Sequence, residues 1–408
     1  MNIETMGKRI RLGIVVLLLF SLVALSAQPM TEQQTTKDQE YLSVYFGIQP
    51  LSTPVSDQEL ASALSAITGS SYSGTPSQMI VQAGGYEELA LTYSEGKAQN
   101  RLSLVGVAGS DPDLAAAVDS GLADPASAKE LASGGALSAP TATRLLMNVA
   151  SSIGKGRNIL GFSDDPDIGA KLANAFAKVT LYQNDELDAI GAKLVESKAS
   201  TGYGLKREAD DARFLPSLTL RYGHDDATHA RQLIALLHSE GIRAAIQIEP
   251  KTSIYQYLLE WGPYTNTPTY RVEQYSDDLY LVHAIEYDME MEFATKADLL
   301  RFNAIMEQYA KKNDENQKDG STVRLISGSW WQPLYSASFQ PDAGNYTMIS
   351  DNILYSADGA YSIHPFTLPE DKDALQAKER ELSGREPVSE VRYVNNAFYR
   401  YLTGSDHQ

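Results

Sequence analysis

Hydrophobic and polar positions follow two different rhythms along this chain, and the change falls near residue 200. Before it, apolar residues recur at helical spacing. "SDQELASALSAIT" places Leu60, Ala63, Leu64 and Ile67 on one stripe, opened by Ser56 with Glu59 three positions on, a capping pattern. "DPDLAAAVDSGL" sets Pro112 in a first turn behind Asp111 and stops at Gly121. "SAPTATRLLMNVASSIG" brings Leu145, Leu146 and Val149 to one side and stops at Gly154. Together with "DPDIGAKLANAFAKVTLY" and "NDELDAIGAKLVESKA", these patterns predict an all-α bundle of short, Ala-rich helices over residues 41–199.

After a Gly-containing, charged stretch at 200–213, expected to be a linker, the period drops to two. "PSLTLRYG" is expected as a strand, 226–240 as a helix and "IRAAIQIEP" as a strand. A loop at 262–278 precedes the long strand "LYLVHAIEYDMEMEF", a helix at 295–313 and the strand "TVRLISGSWW". Two β-α-β units in succession over 214–332 point to a ferredoxin-like α+β domain, and 333–408 is expected to be its β-rich C-terminal extension. The overall expectation is therefore α+β, with a helical module ahead of a ferredoxin-like domain.

The first residues carry Lys8, Arg9 and Arg11, an apolar run from Leu12 to Leu25, and small residues at Ala24, Ser26 and Ala27. That is the layout of a secretory signal peptide over 1–27, and the run falls short of the ~20 residues a spanning helix needs. Residues 28–40 are polar and expected to be a flexible lead-in. The sequence thus points to a secreted or envelope-associated protein with no integral membrane span in the mature chain.

Two stretches of the helical half, "YFGIQPLSTPVSDQELASALSAITG" and "AAAVDSGLADPASAKELASGGALSAPTATRLLMNVA", resemble S-layer homology repeats. In that family a helix ends in a Gly-Ile or Gly-Leu turn, and a second helix begins at a Thr/Ser-capped motif. Gly47-Ile48 ahead of "PVSDQELASAL", and Gly121-Leu122 ahead of "LSAPTATRLLM", keep that rhythm. The resemblance implies a helical scaffold and, as partner, a cell-wall polymer or glycan. The family's Thr-Arg-Ala-Glu signature is missing, since 56–59 read "SDQE" and 140–143 read "PTAT", which puts the glycan contact in doubt.

Composition narrows the chemistry. With no cysteine, disulfides, thiolate metal sites and a cysteine nucleophile are all excluded. A net charge of −18 opposes nucleic-acid binding, which rests on neutralising phosphates with Lys and Arg. No G-x-S-x-G elbow, P-loop or H-E-x-x-H motif is present.

Three constellations remain. His224, Asp226 and His229 crowd the start of a helix. Asp225 or Asp226 suits its N-cap, and the histidines lie five apart rather than the four that zinc helices use. A divalent cation held there with a distant Glu is the alternative. Second, "IEYDMEMEF" puts Glu286, Asp288, Glu290 and Glu292 on one face of a strand, with successive carboxylates roughly 6.5–7 Å apart. Such a row suits a solvated or ion-paired face, a Ca²⁺ or cationic ligand, or an acid/base pair. Third, Trp261, Tyr264, Trp330, Trp331 and Tyr335 gather near prolines, as platforms for sugar rings or as loop packing. The function expected is non-catalytic binding at the cell exterior, without an obligatory cofactor. The alternative is a metal-assisted or carboxylate-based extracellular hydrolase.

Overall fold

The structure is a computed structural model that describes residues 32–309, 334–341, 344, 346–396 and 398–399. The expected signal peptide lies outside the described residues. The chain divides into two compact units, Met1–Gly156 and Arg157–Gln408. Among the described residues, no helix is long and apolar enough to cross a membrane.

The described part of the first unit is built from helices: α1 (Glu32–Phe46), α2 (Asp57–Thr68), α3 (Pro76–Ala83), α4 (Glu87–Ala90), α5 (Glu95–Leu104), α6 (Pro112–Asp119), α7 (Pro125–Ala132) and α8 (Ala139–Ser152). Local chemistry sets their ends. The Ser56 side chain accepts from the Glu59 amide, and Thr75 and Gln78 form a reciprocal capping box. Leu60, Ala63, Leu64 and Ile67 are all buried. Residues 28–31 of the lead-in expected to be flexible lie outside the described residues, and 32–40 belong instead to α1. Tyr41 and Leu42 bury there, and the Tyr41 hydroxyl donates to the Lys155 carbonyl at 3.1 Å. Gly47 and Gly121 both take positive φ just past a helix, the usual glycine stop of helices in general.

The second unit opens with β1 (Gly161–Phe162), α9 (Ile168–Phe176), α10 (Asp185–Glu196) and β2 (Gly202–Arg207). It continues with β3 (Thr219–His224), α11 (Ala227–Ser239), β4 (Ala244–Tyr257), β5 (Tyr270–Gln274), β6 (Tyr280–Phe293) and α12 (Lys296–Tyr309). The remaining elements are β7 (Leu334–Ala337), β8 (Tyr346–Tyr355), β9 (Tyr361–His364), β10 (Phe366–Thr367), α13 (Lys372–Ser383) and β11 (Val388–Asn395).

Neighbouring strands run in the order β4-β2-β9-β8-β11-β7-β3-β6, and β6 pairs back onto β4. Every pairing is antiparallel, so the eight strands close into a barrel. This overturns the expectation of a ferredoxin-like domain. β4, β6, β3 and β7 do lie side by side, but the sheet does not end there. The supposed linker at 200–213 supplies the stave β2, and the supposed C-terminal extension supplies β8, β9 and β11. Closure leaves no free edge between these staves, which satisfies the backbone groups an open sheet would expose.

The outward face of the barrel is apolar and carries helices. Tyr222, Ile246, Ile248, Met289, Met291 and Phe293 pack with Leu233, Ile234 and Leu237 of α11 and with Leu299, Phe302 and Met306 of α12. On another side Leu205, Ile254, Leu354 and Ile363 meet Leu187, Ile190 and Leu194 of α10 and Leu375 of α13. With helices claiming the outer face, the polar half of each alternating strand is left to the lumen.

Candidate ligand-binding site

The register fixes what faces inward. On β6 the lumen side carries Glu286, Asp288, Glu290 and Glu292, opposite Lys251, Glu249, Gln247 and Ala245 of β4. Arg221 of β3 stands opposite Glu290, and Lys206 of β2 opposite Lys251. The carboxylate row is therefore not a solvated face. It is an interior one, and it is extensively ion-paired.

Each pairing has a definite geometry. Lys206 Nζ lies 2.6 Å from Asp288 and 3.1 Å from Glu249, and Lys251 Nζ lies 2.8 Å from Asp288. Arg221 pairs with Glu290. Glu292 accepts from Arg157 Nε at 3.1 Å and from the Leu215 amide at 2.8 Å. Burial alone would push Asp288 up, but Lys206, Lys251 and Arg221 outweigh it and hold the carboxyl well below its ordinary range. Glu290 is pushed up to about 7, chiefly by burial against the pull of Arg221.

Glu286 differs from the other three. Its carboxylate accepts from the Ser253 hydroxyl at 2.7 Å and stays 3.8 Å from Lys251, whose closer partner is Asp288. Burial raises it, with the charges of Asp225 and Asp288 adding to the rise. It also lines a cavity of about 320 Å³ with Phe176, Asp225, Tyr255, Tyr270 and Ala284. That volume falls in the range of ligand pockets, and aromatic walls with a few convergent polar groups are their usual make-up. A smaller cavity of about 110 Å³ opens among Lys206, Arg221, Glu249, His364 and Arg392.

The larger cavity continues into an aromatic face. β4 and β6 pair over fourteen residues, from Ala244↔Phe293 to Tyr257↔Tyr280, and the far edge of β6 passes from β3 to β5. Tyr255, Tyr270 and Ala284 pack with Tyr257, Val272 and Val282 on one side of this extension. Trp261 and Tyr264 then stand edge-on to Tyr257, each with centroids 5.3 Å away, and remain 52% and 41% exposed. Rings thus run from the carboxyl-lined cavity out to solvent.

The other expected site residues fall elsewhere. Tyr335 is fully buried against Tyr222 on the outer face, 5.1 Å between centroids, and cannot act as a ligand platform. Trp330 and Trp331 lie outside the described residues. The His224 and His229 rings lie 4.4 Å apart, tilted by 31°, and Asp226 caps α11 by accepting from the Thr228 amide at 2.7 Å. The Asp226 amide donates to His224 Nδ1 at 2.8 Å, and burial, with His224 adding, pushes His229 down. Among the described residues no group of three His, Asp or Glu side chains is arranged to hold a metal ion. The helix start is a cap, as the five-residue histidine spacing suggests. Tyr255, Tyr270 and Asp225 were not singled out as ligand residues from the sequence. The signal for the first was the alternation Ser253, Tyr255, Tyr257 in "SIYQY".

No protein family, curated protein or solved structure matches this chain.

Proposed function

We propose that this is a non-catalytic binding protein of the cell exterior that holds a glycan along the aromatic face of β4, β5 and β6. One observation carries the reading: the cavity of about 320 Å³ whose walls, Tyr255 and Tyr270, lead through Tyr257 to the exposed rings of Trp261 and Tyr264. Flat rings with a polar inner end suit sugar rings, which present both C–H faces and hydroxyls. The exterior location rests on the leader pattern at 1–27, and a wall-anchoring role for the helical unit rests on its resemblance to S-layer homology repeats.

Hydrolysis is the second reading, favoured by two carboxyls at one cavity, Asp225 and Glu286, the latter raised and so suited to give a proton. Release of reducing ends from the bound polymer would mark it.

Co-sedimentation of the leader-free chain with purified cell-wall polysaccharide tests the binding reading. The wild type should pellet, and Tyr255→Ala and Trp261→Ala should each weaken binding about tenfold, as the loss of a stacked ring does. A wild type that stays in solution, or variants that pellet as it does, would overturn it.

A further inference from the structure

Resting on the glycan reading and going further, we propose that the bound sugar carries a free, protonated amine seated between Asp225 and Glu286. An amino sugar that has lost its acetyl group is the ligand class this describes.

The first support is a charge count at the inner end of the cavity. Five carboxyls cluster there and in the adjoining lumen: Asp225, Glu249, Glu286, Asp288 and Glu290. Among the described residues three cations serve them, and each has a closer commitment than Glu286. Lys206 bridges Glu249 and Asp288, Lys251 bonds Asp288, and Arg221 holds Glu290. Asp225 is no better served. His224 Nδ1 comes within 2.9 Å of it, but that nitrogen accepts the Asp226 amide hydrogen and has none to give. Among the described residues Glu286 is thus the buried carboxyl of this cluster least served by positive charge, and Asp225, half-exposed, lines the same cavity.

The second support is the wall. Phe176, Tyr255 and Tyr270 surround the same space, and the negative face of an aromatic ring attracts a cation. Acid and ring together select an organic cation. A metal ion would need a third donor, and no such triad occurs among the described residues. An N-acetyl group would bring no charge and would leave the two carboxyls uncompensated.

The third support is what Glu286 does when empty. Burial and the charges of Asp225 and Asp288 raise it, against Lys251 and the Ser253 hydroxyl. An ammonium beside it favours the charged carboxylate that these surroundings disfavour.

Calorimetric titration of the leader-free chain with a glucosamine oligomer, and with its fully N-acetylated counterpart of equal length, tests this. The free amine form should bind at least about tenfold tighter. Asp225→Asn and Glu286→Gln should each remove most of that advantage, weakening the amine form far more than the acetylated one. The acetylated oligomer also serves as the control for correct folding of each variant. Equal or tighter binding of the acetylated oligomer, or variants that weaken both ligands alike, would overturn the amine while leaving the glycan reading intact. Binding of neither oligomer would overturn both.

Discussion

Lys206 sits in the barrel lumen with its ammonium between Asp288 and Glu249, and its side chain is only 12% exposed. In water such a pair contributes little, but here neither carboxylate has solvent to fall back on. Lys206→Met should therefore destabilise the second unit by about 3 kcal/mol or more, the usual cost of stranding a buried charge. Urea titration measures it. Adding Glu249→Gln to the same chain should recover part of the loss, because Asp288 keeps Lys251 and Glu249 is the carboxylate left without its cation. If the single variant unfolds at the wild-type midpoint, the lumen is wetter than its packing implies. The residue types of this network were visible in the sequence, in the unbroken alternation from Ile285 to Phe293. Their partners were not, since Lys206 and Arg221 lie 82 and 69 positions from Asp288 and Glu290 and nothing local points to them.

At the scale of elements, a period of two tells which residues share a face but not what that face meets. β6 was legible as a strand with an acidic side and an apolar side. Solvent was the natural assignment for the acidic side, since open antiparallel sheets place charge there. Closure reverses this, because helices take the outer face and the acidic side turns inward. The decisive strands were the hardest to see. β2 lies in a Gly-rich stretch that looks like a linker, and β9 has four residues. Helices were more legible because Ser56, Asp111 and Ser138 announce their own caps. One helix carries a packing constraint that its sequence hides. Gly191, inside α10, faces Tyr203 of β2 so closely that an added Cβ would fall on the ring. Gly191→Ala should improve helix propensity by about 1 kcal/mol yet lose about 1–3 kcal/mol to overpacking. The expected result is a lower melting temperature. A higher one would mean that α10 and β2 can separate at no cost.

For the molecule as a whole, the buried carboxyls set how stability depends on pH. Glu379 of α13 is fully buried, its carboxyl oxygens have no hydrogen-bond partner among the described residues, and burial with the charge of Asp351 pushes it up to about 8. Asp188 is pushed up to about 6, mainly by burial. An acid raised on folding gives its full stabilisation below its unfolded value, near 4.5 for Glu, and loses it as pH rises through the folded value. Asp351 runs the other way. His364 and Arg392 outweigh burial and bring it down to about 2, so its contribution is present above 3.8 and is lost on acidification toward 2. The second unit should thus be most stable near pH 4–5 and should weaken steadily from pH 5 to 9, with its excess of acidic over basic residues adding repulsion in the same direction. All three tryptophans lie in this unit, so their fluorescence during urea unfolding reports it without interference from the helical one. Glu379→Gln cannot ionise and should flatten the alkaline limb. At pH 9 the variant should exceed the wild type by about 2 kcal/mol, while at pH 5 the two should differ little. A wild type that holds its midpoint from pH 5 to 9 would show that Glu379 ionises in place, and that α13 opens enough to hydrate it without the barrel giving way.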